Sequence, residues 1–406
     1  MLTRIQSLNR IGHSSALGLV LVLISLLSAC SSIDKDHARP EALRVREQLY
    51  RQGIRAWTLV IKITPNNAEA HRIRGFGYAS LKEYGKAIDD YSKAISLDPR
   101  NVGAYRLRGD AYYWLRRYQK AIDDYSKTIK LDPQNGLAYA YRADAYYGLR
   151  QYQKAIDDYT QAVSLDPKDT YAYISRGNAY DGMNEWQKAI DDYTRVISLD
   201  PKSTRAYADR ADSYSWLGQH QKAIDDDTTA IRLNPRDADV YAHRAESLDY
   251  LHQYRQAIDD SNKAISLDPE CAKAYASRAW AHNELGQYQR AIDDCNRAIR
   301  LDDKLALAYG ARGQAYYALE QYEKALADQD KHVDLHPKEA DAFLQRAQTL
   351  TCLKRYQNTV DDCSKAIGLD PEFADAYEER ANAYERLGKK DLAAQDRAET
   401  KKLRSD

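Results

Sequence analysis

The sequence predicts an all-α chain, an α-solenoid of stacked helix–turn–helix pairs, and three observations carry that prediction. Prolines recur every 34 residues, and the apolar residues between them fall at helical spacing. Tyrosine occurs 33 times where phenylalanine occurs 3 times and methionine 2 times, so a fixed set of positions is being filled by one aromatic. The chain of 406 residues is 44% hydrophobic, too apolar for disorder. Lys+Arg and Asp+Glu each number 60, and a formal net charge of zero excludes a whole-chain electrostatic footprint for nucleic acid.

The first 30 residues differ from the rest. Arg4 and Arg10 precede the apolar run Ala16–Leu27, which ends in Leu27-Ser28-Ala29-Cys30. A basic start, a short apolar stretch and small residues before a cut describe a secretory signal peptide; the run is too short to span a bilayer. The last four residues resemble the lipobox of bacterial lipoproteins. That resemblance implies a signal peptide over 1–29, a lipidated Cys30 and a tether over 30–40. Ser31 in place of aspartate further implies the outer membrane, facing the periplasm. Cys271, Cys295, Cys352 and Cys363 are too few for a disulfide framework and show no CxxC pair. Their repeat positions predict buried thiols.

Pro65, Pro99, Pro133, Pro167, Pro201, Pro235, Pro269, Pro337 and Pro371 keep a strict period, with Asp303 standing in one proline's place. Ten repeats then start at 68, 102, 136, 170, 204, 238, 272, 306, 340 and 374, preceded by a degenerate repeat over 41–67. In each repeat, column 4 is mostly tyrosine (Tyr105, Tyr139), column 8 is Gly or Ala (Gly109, Ala143), and column 11 is mostly tyrosine (Tyr112, Tyr146). Those spacings trace one face of a first helix. Column 17 (Tyr118, Tyr152, Trp186), column 20 (Ala121, Ala155) and column 21 (Ile122, Ile156) begin a second. It stops near column 31, because the residue before proline is pushed away from helical angles. In the last repeat the outward columns turn polar (Arg397, Lys401), as an array's terminal cap requires.

This pattern resembles the tetratricopeptide repeat, whose 34 residues take small side chains at columns 8 and 20, aromatics at 4, 11 and 24, and proline at 32. The resemblance covers 68–406 strongly and implies a right-handed superhelix. Column 24 holds Tyr91, Tyr125, Tyr159 and Tyr193 in the first four repeats, then Asp227, Ser261, Cys295, Gln329, Cys363 and Arg397. The N-terminal half is therefore expected to pack more tightly.

Chemistry-bearing motifs read as scaffolding. The recurring Asp-Asp pairs (Asp89-Asp90, Asp123-Asp124 and equivalents) sit on a helix, where neighbours point about 100° apart and cannot converge on one substrate. The first aspartate has a base four residues later in several repeats, as in Asp123 and Lys127, a favourable helical pair. The second falls in column 23, aspartate in all ten repeats, while column 7 is arginine in all ten. A planar guanidinium suits a partly buried carboxylate, which predicts an Arg–Asp ladder between helices. His332 and His336 lie four apart, a spacing that can hold zinc, but with no third ligand in view they read as drift, and no metal is assigned. No phosphate loop, GxSxG or HExxH occurs, so neither enzyme nor cofactor is expected.

The family resemblance places the inner surface on the first helices, through columns 2, 5, 9, 12 and 13. Those columns supply a candidate partner-binding groove of Asp110, Tyr113, Trp114, Asp144, Tyr147, Asn178, Asp181, Asp212, Trp216, Glu246, Asp249, Tyr250 and Trp280. No repeat carries the Lys-and-Asn pair with which one subgroup clamps a C-terminal carboxylate. The expectation is a non-enzymatic, lipid-anchored adaptor. It would bind a protein or peptide with basic and aromatic segments, with homo-oligomers possible and no nucleic acid. The alternative is a scaffold of a polysaccharide, pilus or secretion export machine that contacts glycan directly.

Overall fold

The structure is a computed structural model and describes residues 40–405. Cys30 and the segment before it lie outside the described residues. Among those described, 21 α-helices and no strand occur. No described helix is long and apolar enough to cross a membrane. The chain divides after Leu199 into two compact units.

In the first unit a single helix, Pro40–Ile63, occupies the stretch read as a degenerate pair. Four helix pairs follow: Ala68–Ser80 with Tyr84–Leu97, Val102–Trp114 with Tyr118–Leu131, Gly136–Gly148 with Tyr152–Leu165, and Thr170–Asp181 with Trp186–Leu199. The second unit holds six pairs, from Thr204–Trp216 with His220–Leu233 to Ala374–Arg386 with Lys390–Leu403.

Local chemistry places each boundary. The side chains of Asn67, Asn101, Asn135, Asp169 and Ser203 accept from the backbone N–H three residues on, capping the first helix of their repeats. The next five cap positions, Asp237, Cys271, Leu305, Glu339 and Phe373, make no such bond. Within each repeat the turn passes through a left-handed residue at column 15. Glycine takes it at Gly218, Gly286 and Gly388, while Lys82, Arg116, Arg150, Asn184, His252, Glu320 and Lys354 adopt φ of 55–60°. Between repeats, the Asp before proline turns its Oδ1 to the N–H two residues on, as Asp166 does for Lys168 at 3.0 Å. Asp302 does the same for Lys304 at 2.9 Å although Asp303 replaces the proline, so side-chain capping sustains that turn alone.

The core is thin and repetitive. Ala87, Ala121, Ala155, Ala189 and Ala223 are fully buried at column 20, which lets the two helices of a pair approach closely. Tyr91, Tyr125, Tyr159 and Tyr193 are at most 2% exposed and fill the space opposite column 8. A Cβ on Gly109 would meet the Tyr125 ring at 2.7 Å, so there glycine and tyrosine form one packing unit. Of the four cysteines, Cys271, Cys295 and Cys363 are buried as expected. Cys352 is exposed, because the last residue of a first helix faces solvent. Burial holds the Cys295 and Cys363 thiols well above their usual range, and both are inert.

Candidate partner-binding surfaces

The Arg–Asp ladder forms in every repeat. From Arg74 with Asp90 to Arg380 with Asp396, Nε and one terminal nitrogen meet both carboxylate oxygens at 2.6–2.8 Å. The remaining nitrogen reaches back to column 25 of the preceding helix: Thr58, Ser92, Ser126, Thr160, Thr228, Asn262, Asn296, Asp330 or Ser364. Sequence reasoning missed this rung, yet an unbroken run of hydrogen-bonding side chains at column 25 announces it. Thr58 belongs to that run, so the end of the single N-terminal helix serves as the second helix of a repeat. The first aspartate of several Asp-Asp pairs differs from expectation. Asp123, Asp157, Asp191 and Asp225 accept from a glutamine one turn earlier, such as Gln119 to Asp123 at 3.2 Å.

In the first unit the column-9 carboxylates are half-buried and tied to tyrosines. Tyr125 donates its hydroxyl to Asp110 at 2.9 Å, and Arg106 pairs with the other oxygen at 2.9 Å. Asp144 accepts from Tyr159 at 2.6 Å and from Tyr171 of the next repeat at 2.7 Å. Tyr193 bridges Asn178 at 2.7 Å and Asp181 at 2.6 Å. Where column 9 is Phe76, the buried Tyr91 hydroxyl has no acceptor. Burial pushes the Asp110 and Asp144 carboxyls up, against the lowering effect of these bonds. Aromatics stand around this layer. Trp114 is 64% exposed and meets Tyr113 edge-on at 6.0 Å, while Tyr113 and Tyr147 rest against Tyr118 and Tyr152 at 5.5 and 5.3 Å. The sequence reading omitted Tyr171, 48% exposed, although it sits in column 2 of the same face.

The second unit departs further from the predicted set. Trp216 and Tyr250 are 66% and 62% exposed, and the Tyr250 ring stacks on His220 with centroids 4.4 Å apart. Asp212 is exposed and 3.5 Å from Nε2 of His243, whose Nδ1 lies 2.7 Å from the buried Asp227. Asp227 replaces a column-24 tyrosine. Burial raises its carboxyl to about 6, opposed by the hydrogen bond and charge of His243. Asp249 is a correction: it is buried, its Oδ1 has no partner, and burial together with Glu246 and Glu284 pushes its carboxyl to about 8. Trp280 is half-buried against the Ala279–Ala291–Ala311 core. The last repeat is sealed by ion pairs, Arg397 with Glu385 and Arg404 with Asp375 and Glu378.

Among the described residues one histidine pair gains a neighbour that the sequence reading lacked. His332, His336 and Glu339 place a nitrogen, a nitrogen and an oxygen within 4.8 Å of one another.

Family models described as "TPR repeat" and "Tetratricopeptide repeat" match residues 77–115, 102–135, 136–169, 170–203, 238–271, 272–305 and 306–339. No curated protein matches the chain. Among solved structures, the Cut9–Hcn1 hetero-tetramer of the APC/C is similar at a TM-score of 0.55 and 16% identity, covering 91% of this chain and 90% of that one. A tetratricopeptide repeat protein from Parabacteroides merdae follows at TM-score 0.50 and 19% identity, covering 61% of this chain and 98% of that one. MamA is 27% identical at TM-score 0.40, covering 42% of this chain and 94% of its own. The repeat matches together span more than half of the sequence, and the chain belongs to the tetratricopeptide repeat family.

Proposed function

We propose that this protein is a non-enzymatic scaffold that holds a partner protein against the first-helix faces of its repeats. The observation that carries the reading is the exposure of Trp114 and Trp216, each about two-thirds open, on surfaces that also bear carboxylates. Large aromatics left in water are costly unless something covers them, and such residues dominate interface energetics. In the first unit Trp114 and Tyr147 share the first helices of their repeats with Asp110 and Asp144, and Tyr171 of the next repeat bonds Asp144. In the second, Trp216 and Tyr250 accompany Asp212 and Glu246. The complementary partner carries basic and aromatic side chains. Affinity capture by the full-length chain tests this. Recovery of a protein that dissociates at high salt supports the reading; retention of glycan from protease-treated extracts, with no protein recovered, overturns it.

The lipid anchor belongs to the same proposal and rests on Leu27-Ser28-Ala29-Cys30. Such an anchor would hold the repeats at the outer membrane, facing the periplasm. Wild type should take up a fatty-acid probe and Cys30→Ala should not. A wild type that takes up no label removes the anchor from the account.

A further inference from the structure

Three departures from the repeat pattern meet at one point in the second unit. Column 27 is Ala, Thr or Val in nine repeats and histidine at His332. Column 31, aspartate or asparagine in eight repeats and Arg404 in the last, is histidine at His336, and the N-cap position before the next repeat is Glu339. Their donor atoms converge. Nε2 of His332 and Nδ1 of His336 each lie 3.3 Å from the same oxygen, Oε2 of Glu339. Glu339 makes no capping bond to its helix, so its carboxylate is turned to the two imidazoles instead.

The space for this arrangement is provided by a fourth departure. A Cβ on Gly310 would stand 2.8 Å from Nδ1 of His332, so an alanine there would collide with the ring. His332 is 7% exposed and its Nδ1 has no partner. Only Nε2 is aimed at the other two groups. Two imidazole nitrogens and a carboxylate oxygen are all electron-pair donors, and grouping them without a cation or a proton between them is repulsive. Two of the three edges are 3.3 Å, the ligand–ligand separation of a tetrahedron whose metal bonds are about 2.0–2.1 Å long.

We propose that His332, His336 and Glu339 bind a zinc-class divalent cation, with solvent in the fourth position. Two histidines four residues apart plus one carboxylate is a donor set that zinc takes. Imidazole nitrogen also suits nickel and copper, and hard cations such as magnesium and calcium prefer all-oxygen sites. His336 and Glu339 are 59% and 42% exposed at their side chains, so the fourth position opens to solvent. The cation joins the end of the helix Tyr322–Leu335 to the start of Ala340–Cys352 and staples two successive repeats at a junction that has lost its aspartate turn cap and its N-cap bond.

The test is zinc titration of chelator-stripped full-length chain, read by calorimetry and by melting temperature, against His336→Asn and Glu339→Gln. His336 is exposed and Glu339 half-exposed, so both variants should fold, which circular dichroism checks. Wild type should bind one zinc ion more than either variant, or bind it at least tenfold more tightly, and its melting temperature should rise with zinc while theirs rise less. Calcium should produce neither effect. Equal zinc stoichiometry, affinity and melting shift in wild type and variants would overturn the site.

Discussion

Arg176 donates from Nε and Nη2 to the two carboxylate oxygens of Asp192 at 2.8 and 2.7 Å, joining residues sixteen apart on the two helices of one pair. Its Nη1 donates to Thr160 at 3.0 Å, on the helix before. One side chain thus links three consecutive helices. Burial raises the Asp192 carboxyl, and Arg176 opposes that shift by hydrogen bond and charge.

Replacing Arg176 with methionine keeps much of the apolar stem but strands a carboxylate that is 7% exposed. Arg176→Met should lower stability by about 1–3 kcal/mol, because an unpaired buried charge costs more than an exposed pair contributes. Chemical denaturation measures it. An unchanged midpoint would mean that the ladder is ornamental.

Asp249 supplies a pH dependence with a definite sign. Its carboxyl is pushed up to about 8 in the folded chain, far above an ordinary aspartate, so between the two the folded state holds a proton that the unfolded state has released. Stability should therefore fall as pH rises from about 4 to about 8, and level off above. Asp249→Asn removes that slope and should be the more stable protein at pH 8, by on the order of a few kcal/mol. Paired melts of wild type and variant at pH 5 and pH 8 show whether the gap opens with rising pH.

The left-handed turns offer a stabilising change. Lys354 holds φ of 59° at a column where Gly218, Gly286 and Gly388 serve other repeats. Lys354→Gly should relieve steric cost and raise stability by roughly 0.5–1 kcal/mol. A lower melting temperature would show that the lysine side chain contributes more than the backbone loses.

Much of the fold was legible because one 34-residue period repeats ten times, so each column is an internal alignment. The Arg–Asp ladder was readable for the same reason: invariance within the chain at columns 7 and 23 meant one conserved contact. Residues that break their column were harder. Asp249 looked like a surface acid because the family resemblance puts column 12 on the inner surface, but it is buried, within reach of the charges of Glu246 and Glu284. Asp110 and Asp144 were read as partner-facing alone, since the tyrosine hydroxyls that bind them sit fifteen residues away in sequence. Glu339 escaped notice because it belongs to the capping column of the following repeat. The stretch read as a degenerate pair folds instead as the single helix Pro40–Ile63.

The tyrosine links also separate two effects at the surface. Asp144→Asn should weaken folding slightly as well as slow association, since Asp144 accepts from both Tyr159 and Tyr171. Asp212→Asn, at an exposed carboxylate, should act mainly on association rate and its salt dependence. Stopped-flow binding at two ionic strengths, with melts alongside, distinguishes them.

The central claim is that exposed first-helix aromatics hold a partner, and partner capture by Trp114→Ala and Trp216→Ala tests it most directly. Each tryptophan is two-thirds exposed, so each variant should melt near wild type. Trp186→Ala is the control for lost packing, because column 17 side chains lie between helices and its loss should lower the melting temperature instead. The account predicts that at least one of Trp114→Ala and Trp216→Ala weakens capture by about 2 kcal/mol or more while remaining folded. Capture equal to wild type by both folded variants would contradict it.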